Sequence, residues 1–161
     1  MDLDSLAQQV GTQLQKQALT LATAESCTGG WVAKAVTDIA GSSAWFDRGF
    51  ITYTNVAKQE MLGVQAQTLA AHGAVSEETV VEMAEGALAH SRAQVSLAVS
   101  GIAGPGGGSV TKPVGLVCFA WGRVGQSTVT VIEHFSGDRD SIRRQAVARA
   151  LRGVLDVLPT R

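Results

Sequence analysis

The chain has 161 residues, 45% of them hydrophobic, and its 13 basic and 14 acidic side chains nearly balance. A chain of this length buries one hydrophobic core, and its composition excludes a disordered protein and a strongly basic nucleic-acid-binding protein. The acidic start carries no apolar signal segment, and no apolar run reaches the roughly 18 residues of a membrane span, so we expect a cytoplasmic protein without a membrane partner.

Hydrophobic periodicity predicts helices alternating with strands. Leu3, Leu6, Val10 and Leu14 recur at helical spacing, whereas residues 18–24 form a short apolar run typical of a buried strand. By the same criteria we predict helices over residues 3–17 and 31–39, followed by a short helix that is capped by Asn55 and ends before Gly63. Two further helices are predicted, one from the cap Ser76 to about Ser91 and one from Asp138 onward. The remaining predicted strands are residues 48–54, 94–100, 114–121 and 127–135. This order predicts a three-layer α/β/α sandwich with a mixed β-sheet, in one domain over residues 1–161.

The segment ESCTGG, residues 25–30, joins the first predicted strand to a predicted helix. One interpretation is structural, with Ser26 or Thr28 capping the helix and the two glycines reversing the chain. The other is catalytic: Ser26 is a nucleophile at the carboxyl edge of the sheet, where free backbone N–H groups of the helix stabilise an oxyanion.

Cys27 is a competing nucleophile, because a thiol at a helix N-terminus can have a lowered pKa. An unpaired cysteine is more often a small apolar core residue, and we rank Ser26 first. The two cysteines and three scattered histidines show no ligand spacing, so we predict no metal site.

Tyr53 ends a predicted strand and Lys58 lies in the first turn of the next helix, so both side chains can meet Ser26 above the sheet edge. A lysine with a pKa of about 10.4 is protonated at pH 7, so Lys58 acts as a base only where burial or a helix dipole lowers that pKa. The spacing leaves open which of the two is the direct base. It also leaves the alternative of a solvated lysine and a packing tyrosine.

A glycine-rich loop, SGIAGPGGGS at residues 100–109, follows another predicted strand. Its backbone can approach a ligand closely and turn several N–H groups toward an anion. The loop lacks both the lysine of a Walker motif and the GxGxxG spacing, so neither nucleotide fingerprint is met. Three arginines, Arg139, Arg143 and Arg144, lie near the start of the last helix. Their guanidinium groups can bind a phosphate, or they can simply be the solvated face of that helix.

Five motifs occur together in one order: AESCTGG at 24–30, GFITYTNVAKQEMLGV at 49–64, HGAVS at 72–76, SGIAGPGGG at 100–108 and GDR at 137–139. Through them the chain resembles the CinA C-terminal domain family over roughly residues 3–157. The resemblance implies an α/β/α sandwich that deamidates nicotinamide mononucleotide to nicotinate mononucleotide and ammonia, without a metal or cofactor.

By the same resemblance, Ser26 attacks the carboxamide carbon, while Tyr53 and Lys58 activate it and later protonate the leaving ammonia. The family's nucleotide-binding positions, including those for the phosphate, correspond here to Thr28, Gly29, Gly30, Ser100, Gly101, Ala103, Gly104, Gly107 and Arg139.

Two questions stay open at the level of sequence. A non-catalytic nucleotide-binding or partner-binding protein of the same fold is the alternative function, because a fold does not guarantee its chemistry. The apolar helix faces from Leu3 to Leu14 and from Val147 to Leu158 leave room for a homodimer, which we expect.

Overall fold

The computed structural model describes residues 2–159, and this part of the chain alternates helices with strands. Its elements are helix α1 (Leu3–Lys16), strand β1 (Leu21–Glu25), helix α2 (Trp31–Thr37), a short 3-10 helix (Ser42–Ala44), strand β2 (Phe46–Ile51), helices α3 (Asn55–Leu62), α4 (Ala66–His72) and α5 (Glu77–Ala89), strands β3 (Val95–Gly101), β4 (Leu116–Arg123) and β5 (Val129–His134), and helix α6 (Arg139–Val157). None of the helices in the described residues is long and apolar enough to cross a membrane.

The five strands form one mixed sheet in the order β2-β1-β3-β4-β5. Strands β2, β1 and β3 are parallel, and β4 and β5 are antiparallel to their neighbours. Because successive side chains of a strand point to opposite faces, Leu21 joins the core beneath α1, α2 and α6, while Ala22 joins the core beneath α3, α4 and α5. The predicted α/β/α arrangement with a mixed sheet is confirmed.

The carboxyl ends of the three parallel strands meet at one edge of the sheet. The connection from β1 to β2 runs through α2 on one face, and the connection from β2 to β3 runs through α3, α4 and α5 on the other. In open α/β sheets, ligands bind in the crevice where such connections diverge. The fold therefore places the ESCTGG turn, the segment after β2 and the glycine loop around one crevice.

Several predicted boundaries differ from those in the structure. Strand β2 ends at Ile51 rather than at residue 54, because Thr54 and not Asn55 caps α3 and accepts a hydrogen bond from the Ala57 N–H at 3.1 Å. Strand β1 starts at Leu21 rather than at residue 18, because Ala18 adopts a left-handed φ of 54° just after α1.

The sequence predicts no helix between Gly63 and Ser76, yet α4 lies there. It buries one side chain, Leu69, and its first residue has no side-chain cap, so the segment carries little amphipathic signal. Strand β4 extends to Arg123, beyond the predicted end at residue 121, so the turn to β5 begins later than expected.

Helices α1 and α6 pack against each other within the chain. Val10, Leu14, Leu151 and Val154 are fully buried in the same core cluster. The apolar faces on which we based the homodimer are therefore largely covered by the chain itself, and the homodimer stays a prediction.

Candidate active site

Ser26 lies directly after β1, at the carboxyl edge of the sheet. Its backbone N–H donates to the Val99 carbonyl of β3 at 3.0 Å, which extends the ladder by one residue and fixes the start of the turn. The Ser26 side chain is 7% exposed, and its Oγ lies 3.0 Å from the Lys58 Nζ. Lys58 reaches this point because the Thr54 cap starts α3 just above the end of β2.

The Lys58 amine is held by backbone carbonyls as well as by the serine. Its side chain is 1% exposed, and its Nζ lies 3.0 Å from the Thr52 carbonyl oxygen and 3.3 Å from that of Tyr53. Burial lowers the pKa of this amine from its ordinary value of 10.5. A neutral amine has two N–H donors and one lone pair, so the two carbonyls can accept both N–H groups while the lone pair accepts the Ser26 hydroxyl proton.

The backbone carbonyl and the phenol of Tyr53 contact different residues of the site. The backbone carbonyl lies 3.5 Å from the Ser26 Oγ, whereas the phenol oxygen accepts a hydrogen bond from the Arg139 Nη2 at 3.2 Å. The residue is 59% exposed. The structure thus joins Ser26 directly to Lys58 and places the Tyr53 phenol beside Arg139.

Cys27 is mostly buried in the core beneath α1, α2 and α6. Burial raises the pKa of its thiol to about 12, so the thiolate that a cysteine nucleophile needs is scarce at neutral pH. The environment of Cys27 is that of a small apolar core residue rather than of a nucleophile.

Glu25 organises the turn after Ser26, a role that we did not predict. Its Oε1 accepts hydrogen bonds from the Thr28 hydroxyl at 2.6 Å, the Gly30 N–H at 3.2 Å and the Val32 N–H at 2.9 Å. Its Oε2 accepts from the Ala33 N–H at 3.0 Å. The expectation that the N–H groups at the start of the helix are free for an oxyanion is therefore wrong for the backbone N–H groups of Gly30, Val32 and Ala33. Glu25 replaces Ser26 or Thr28 as the side-chain acceptor at the start of α2.

The opposite side of the turn is held by Arg143 of α6. Its Nε donates to the Cys27 carbonyl at 3.0 Å and its Nη2 to the Thr28 carbonyl at 3.2 Å, and its guanidinium lies 5.7 Å from the centre of the Trp31 ring. Arg143 is thus bound to the protein backbone, and Arg144 lines a separate surface groove beside Trp31.

A cavity of about 290 Å³ opens above Ser26 and Lys58. Among the residues expected to bind the nucleotide, Thr28, Gly29 and Gly30 are not in its wall, and Thr28 is fully buried. The wall contains the remaining six, Ser100, Gly101, Ala103, Gly104, Gly107 and Arg139, and also residues that we did not predict, namely Asn55, Ala74, Val75, Ile102 and Gly106.

Arg139 closes one side of this cavity. It is the first residue of α6, whose cap Asp138 accepts a hydrogen bond from the Ser141 N–H at 2.9 Å. Its Nη1 donates to the Gly104 carbonyl at 2.7 Å, which ties the glycine loop to the start of the helix. A larger groove of about 440 Å³ lies between α1 and α6, but among residues 2–159 no lysine lines its wall.

The fold and the site together define an α/β protein with a serine hydroxyl paired to a buried lysine at the edge of a mixed sheet, an arrangement found in hydrolases that act through serine. The chain belongs to the CinA C-terminal domain family, whose model matches residues 3–158. The family resemblance inferred from the five motifs is confirmed.

Individual relatives cover nearly the whole chain. The nicotinamide-nucleotide amidohydrolase PncC of Escherichia coli K12 is 60% identical over 150 residues, which are 93% of this chain and 91% of the relative. The protein of the same name from Enterobacter agglomerans is 52% identical over 153 residues, 95% of this chain and 93% of the relative. The crystal structure of the competence/damage inducible protein CihA from Agrobacterium tumefaciens is 48% identical, with a TM-score of 0.94 over 97% of this chain and 95% of that one.

Proposed function

We propose that this protein is a nicotinamide-nucleotide amidase, which hydrolyses the carboxamide of nicotinamide mononucleotide to nicotinate mononucleotide and ammonia. The observation that carries the proposal is the 3.0 Å contact between the Lys58 Nζ and the Ser26 Oγ, with Lys58 only 1% exposed. The names of the relatives from Escherichia coli and Enterobacter agglomerans supply the substrate.

In the first half of the reaction, the Ser26 Oγ attacks the carboxamide carbon as its proton passes to the neutral Lys58 amine. The Lys58 ammonium then gives this proton to the amide nitrogen, the carbon–nitrogen bond breaks, and ammonia leaves. An ester between Ser26 and the nicotinoyl group remains.

In the second half, water attacks the ester carbon, and the Lys58 amine accepts the proton of the water. The carbon–oxygen bond to Ser26 breaks, and the Lys58 ammonium returns a proton to the Ser26 Oγ. The product is the carboxylic acid, and the enzyme regains its starting protonation state. The Thr52 and Tyr53 carbonyls hold the amine in place throughout.

Arg139 and the glycine loop form the binding site for the nucleotide phosphate in this proposal. Arg139 carries a permanent positive charge at the cavity wall, and the loop presents the backbone of Gly104, Gly106 and Gly107 beside it. Ser100, which also lines the cavity, is a further polar contact for the substrate.

The test measures ammonia release from nicotinamide mononucleotide by the purified protein and by matched variants. We expect Ser26→Ala and Lys58→Met each to lose at least about a thousandfold in kcat, because a nucleophile and its base act as a unit. Cys27→Ala, one residue from the nucleophile, is the control and should stay within about tenfold of wild type.

Two outcomes contradict the proposal. Ammonia release by wild type no faster than by Ser26→Ala excludes the amidase, and calorimetric binding of the nucleotide without turnover then favours the non-catalytic binding protein. A loss in Cys27→Ala as large as in Ser26→Ala moves the nucleophile to residue 27.

A further inference from the structure

The segment HGAVS, residues 72–76, takes no part in the reaction as described, yet it forms part of the cavity wall. Ala74 and Val75 border the cavity and pack on the core beneath α3, α4 and α5. They supply apolar surface to a site whose other walls are rich in polar and glycine residues.

Hydrogen bonds from three side chains hold the backbone of this segment in place. The Gly73 carbonyl accepts from the Ser76 hydroxyl at 2.9 Å and from the Thr79 hydroxyl at 2.6 Å. The preceding carbonyl, that of His72, accepts from the Lys112 amine, three residues after the end of the glycine loop. Ala74 and Val75 therefore form a preorganised surface, which costs little ordering entropy when a ligand binds.

The position of Ala74 and Val75 relative to Ser26 limits which part of a ligand can contact them. Lys58 is on α3, and Ala74 and Val75 lie between α4 and α5, on the same face of the sheet. Arg139 starts α6, which packs on the opposite face. The cavity therefore has an end with Ser26, Lys58 and an apolar wall, and a second end with a fixed positive charge.

In nicotinamide mononucleotide the reacting carboxamide is bonded directly to the pyridine ring, whereas the phosphate is at the far end of the ribose. Attack needs the carboxamide carbon within about 3.5 Å of the Ser26 Oγ, so the ring must lie at the Ser26 end. We propose that Ala74 and Val75 are the surface that binds the pyridine ring and so select aromatic amides, an inference that rests on the amidase function proposed above.

The experiment uses Val75→Thr, which replaces a methyl group by a hydroxyl of similar size, with Val124→Thr as the control. Val124 is 62% exposed in the turn after β4 and lies outside the cavity wall. We expect kcat/KM for nicotinamide mononucleotide to fall about tenfold in Val75→Thr, because the added hydroxyl loses its water when the ring binds, and to stay unchanged in the control. Ala74→Ser provides a second variant should Val75→Thr not fold.

Ribose 5-phosphate, which lacks the ring, separates ring binding from general damage to the site. Its affinity, measured by calorimetry, should be the same for wild type and for Val75→Thr. An unchanged kcat/KM in the variant overturns the inference, and so does an equal loss of affinity for ribose 5-phosphate. If wild type releases no ammonia, the proposed function fails, and the affinities of both proteins for nicotinamide mononucleotide still test the apolar wall.

Discussion

Lys58 and Tyr53 lie five residues apart and contribute different groups to the site. The lysine contributes its side chain, and burial lowers the pKa of its amine from the ordinary value. The tyrosine contributes its backbone carbonyl, which lies 3.3 Å from the Lys58 Nζ, while its phenol is bonded to Arg139. This division makes Lys58 the direct base in the reaction that we propose.

Replacement of the phenol alone tests this division. Tyr53→Phe keeps the carbonyl and the ring but removes the hydroxyl that accepts from Arg139. We expect kcat to fall less than about tenfold and KM to rise, because the loss of one hydrogen bond loosens a binding residue. Initial rates of ammonia release over a range of nucleotide concentrations separate the two constants. A loss in kcat as large as that of Lys58→Met would instead make the phenol part of the proton transfer.

At the scale of elements, the turn between β1 and α2 is held from two sides. The Glu25 carboxylate binds donors at the start of α2, and Arg143 of α6 binds the Cys27 and Thr28 carbonyls. The first N–H groups of a helix have no partner within it, and in a helix of only seven residues such as α2 they are a large share of all its N–H groups. Glu25 supplies partners for them. The position of Ser26, one residue after Glu25, thus depends on contacts with two helices.

We expect Glu25→Gln to lower both stability and activity. The amide has one acceptor oxygen, so at least one of the donors bound by Glu25 loses its partner, which costs about 1–3 kcal/mol in the free energy of unfolding. Urea unfolding and ammonia release measure the two effects. Glu60→Gln, an exposed substitution on α3, is the control and should change neither. Unchanged stability in Glu25→Gln would show that the carboxylate does not hold the turn.

At the scale of the whole molecule, burial of Lys58 links folding to pH. Its pKa is lower in the folded than in the unfolded protein, so the unfolded protein binds more protons between the lowered pKa and 10.5. The free energy of unfolding therefore rises with pH in this window. Burial of Lys58 therefore lowers the free energy of unfolding at neutral pH, and this loss of stability disappears as the pH approaches 10.5.

Thermal unfolding of wild type and Lys58→Met at pH 7 and pH 10 tests this linkage. Because methionine does not titrate, we expect the difference in midpoint to shift in favour of wild type at the higher pH. Lys34→Met is the control: this exposed lysine pairs with Asp38, which raises its pKa, so no shift of that sign is expected. The same difference for Lys58→Met at both pH values would mean that Lys58 titrates normally.

The sequence predicts a helix or strand well where the residues of that element alone produce the signal. The cap Ser76 predicts the start of α5, since a side-chain oxygen three residues before a free N–H is enough to satisfy it. Asp138, predicted as the first residue of the last helix, is the cap that precedes α6. Helix α4, with Leu69 as its one buried side chain, gives no such signal. Its existence depends on packing against α5, which adjacent residues do not encode.

The sequence by itself determined the family, the layered α/β arrangement and the candidate residues Ser26, Tyr53 and Lys58, because periodicity and ordered motifs are properties of neighbouring positions. Only the tertiary structure decided which group of each residue faces the site. The contact between Ser26 and Lys58, the hydrogen bond from Arg143 to the Cys27 carbonyl and the apolar wall at Ala74 and Val75 bring together segments far apart in the chain. Burial and hydrogen-bond geometry exist only once those segments are packed together.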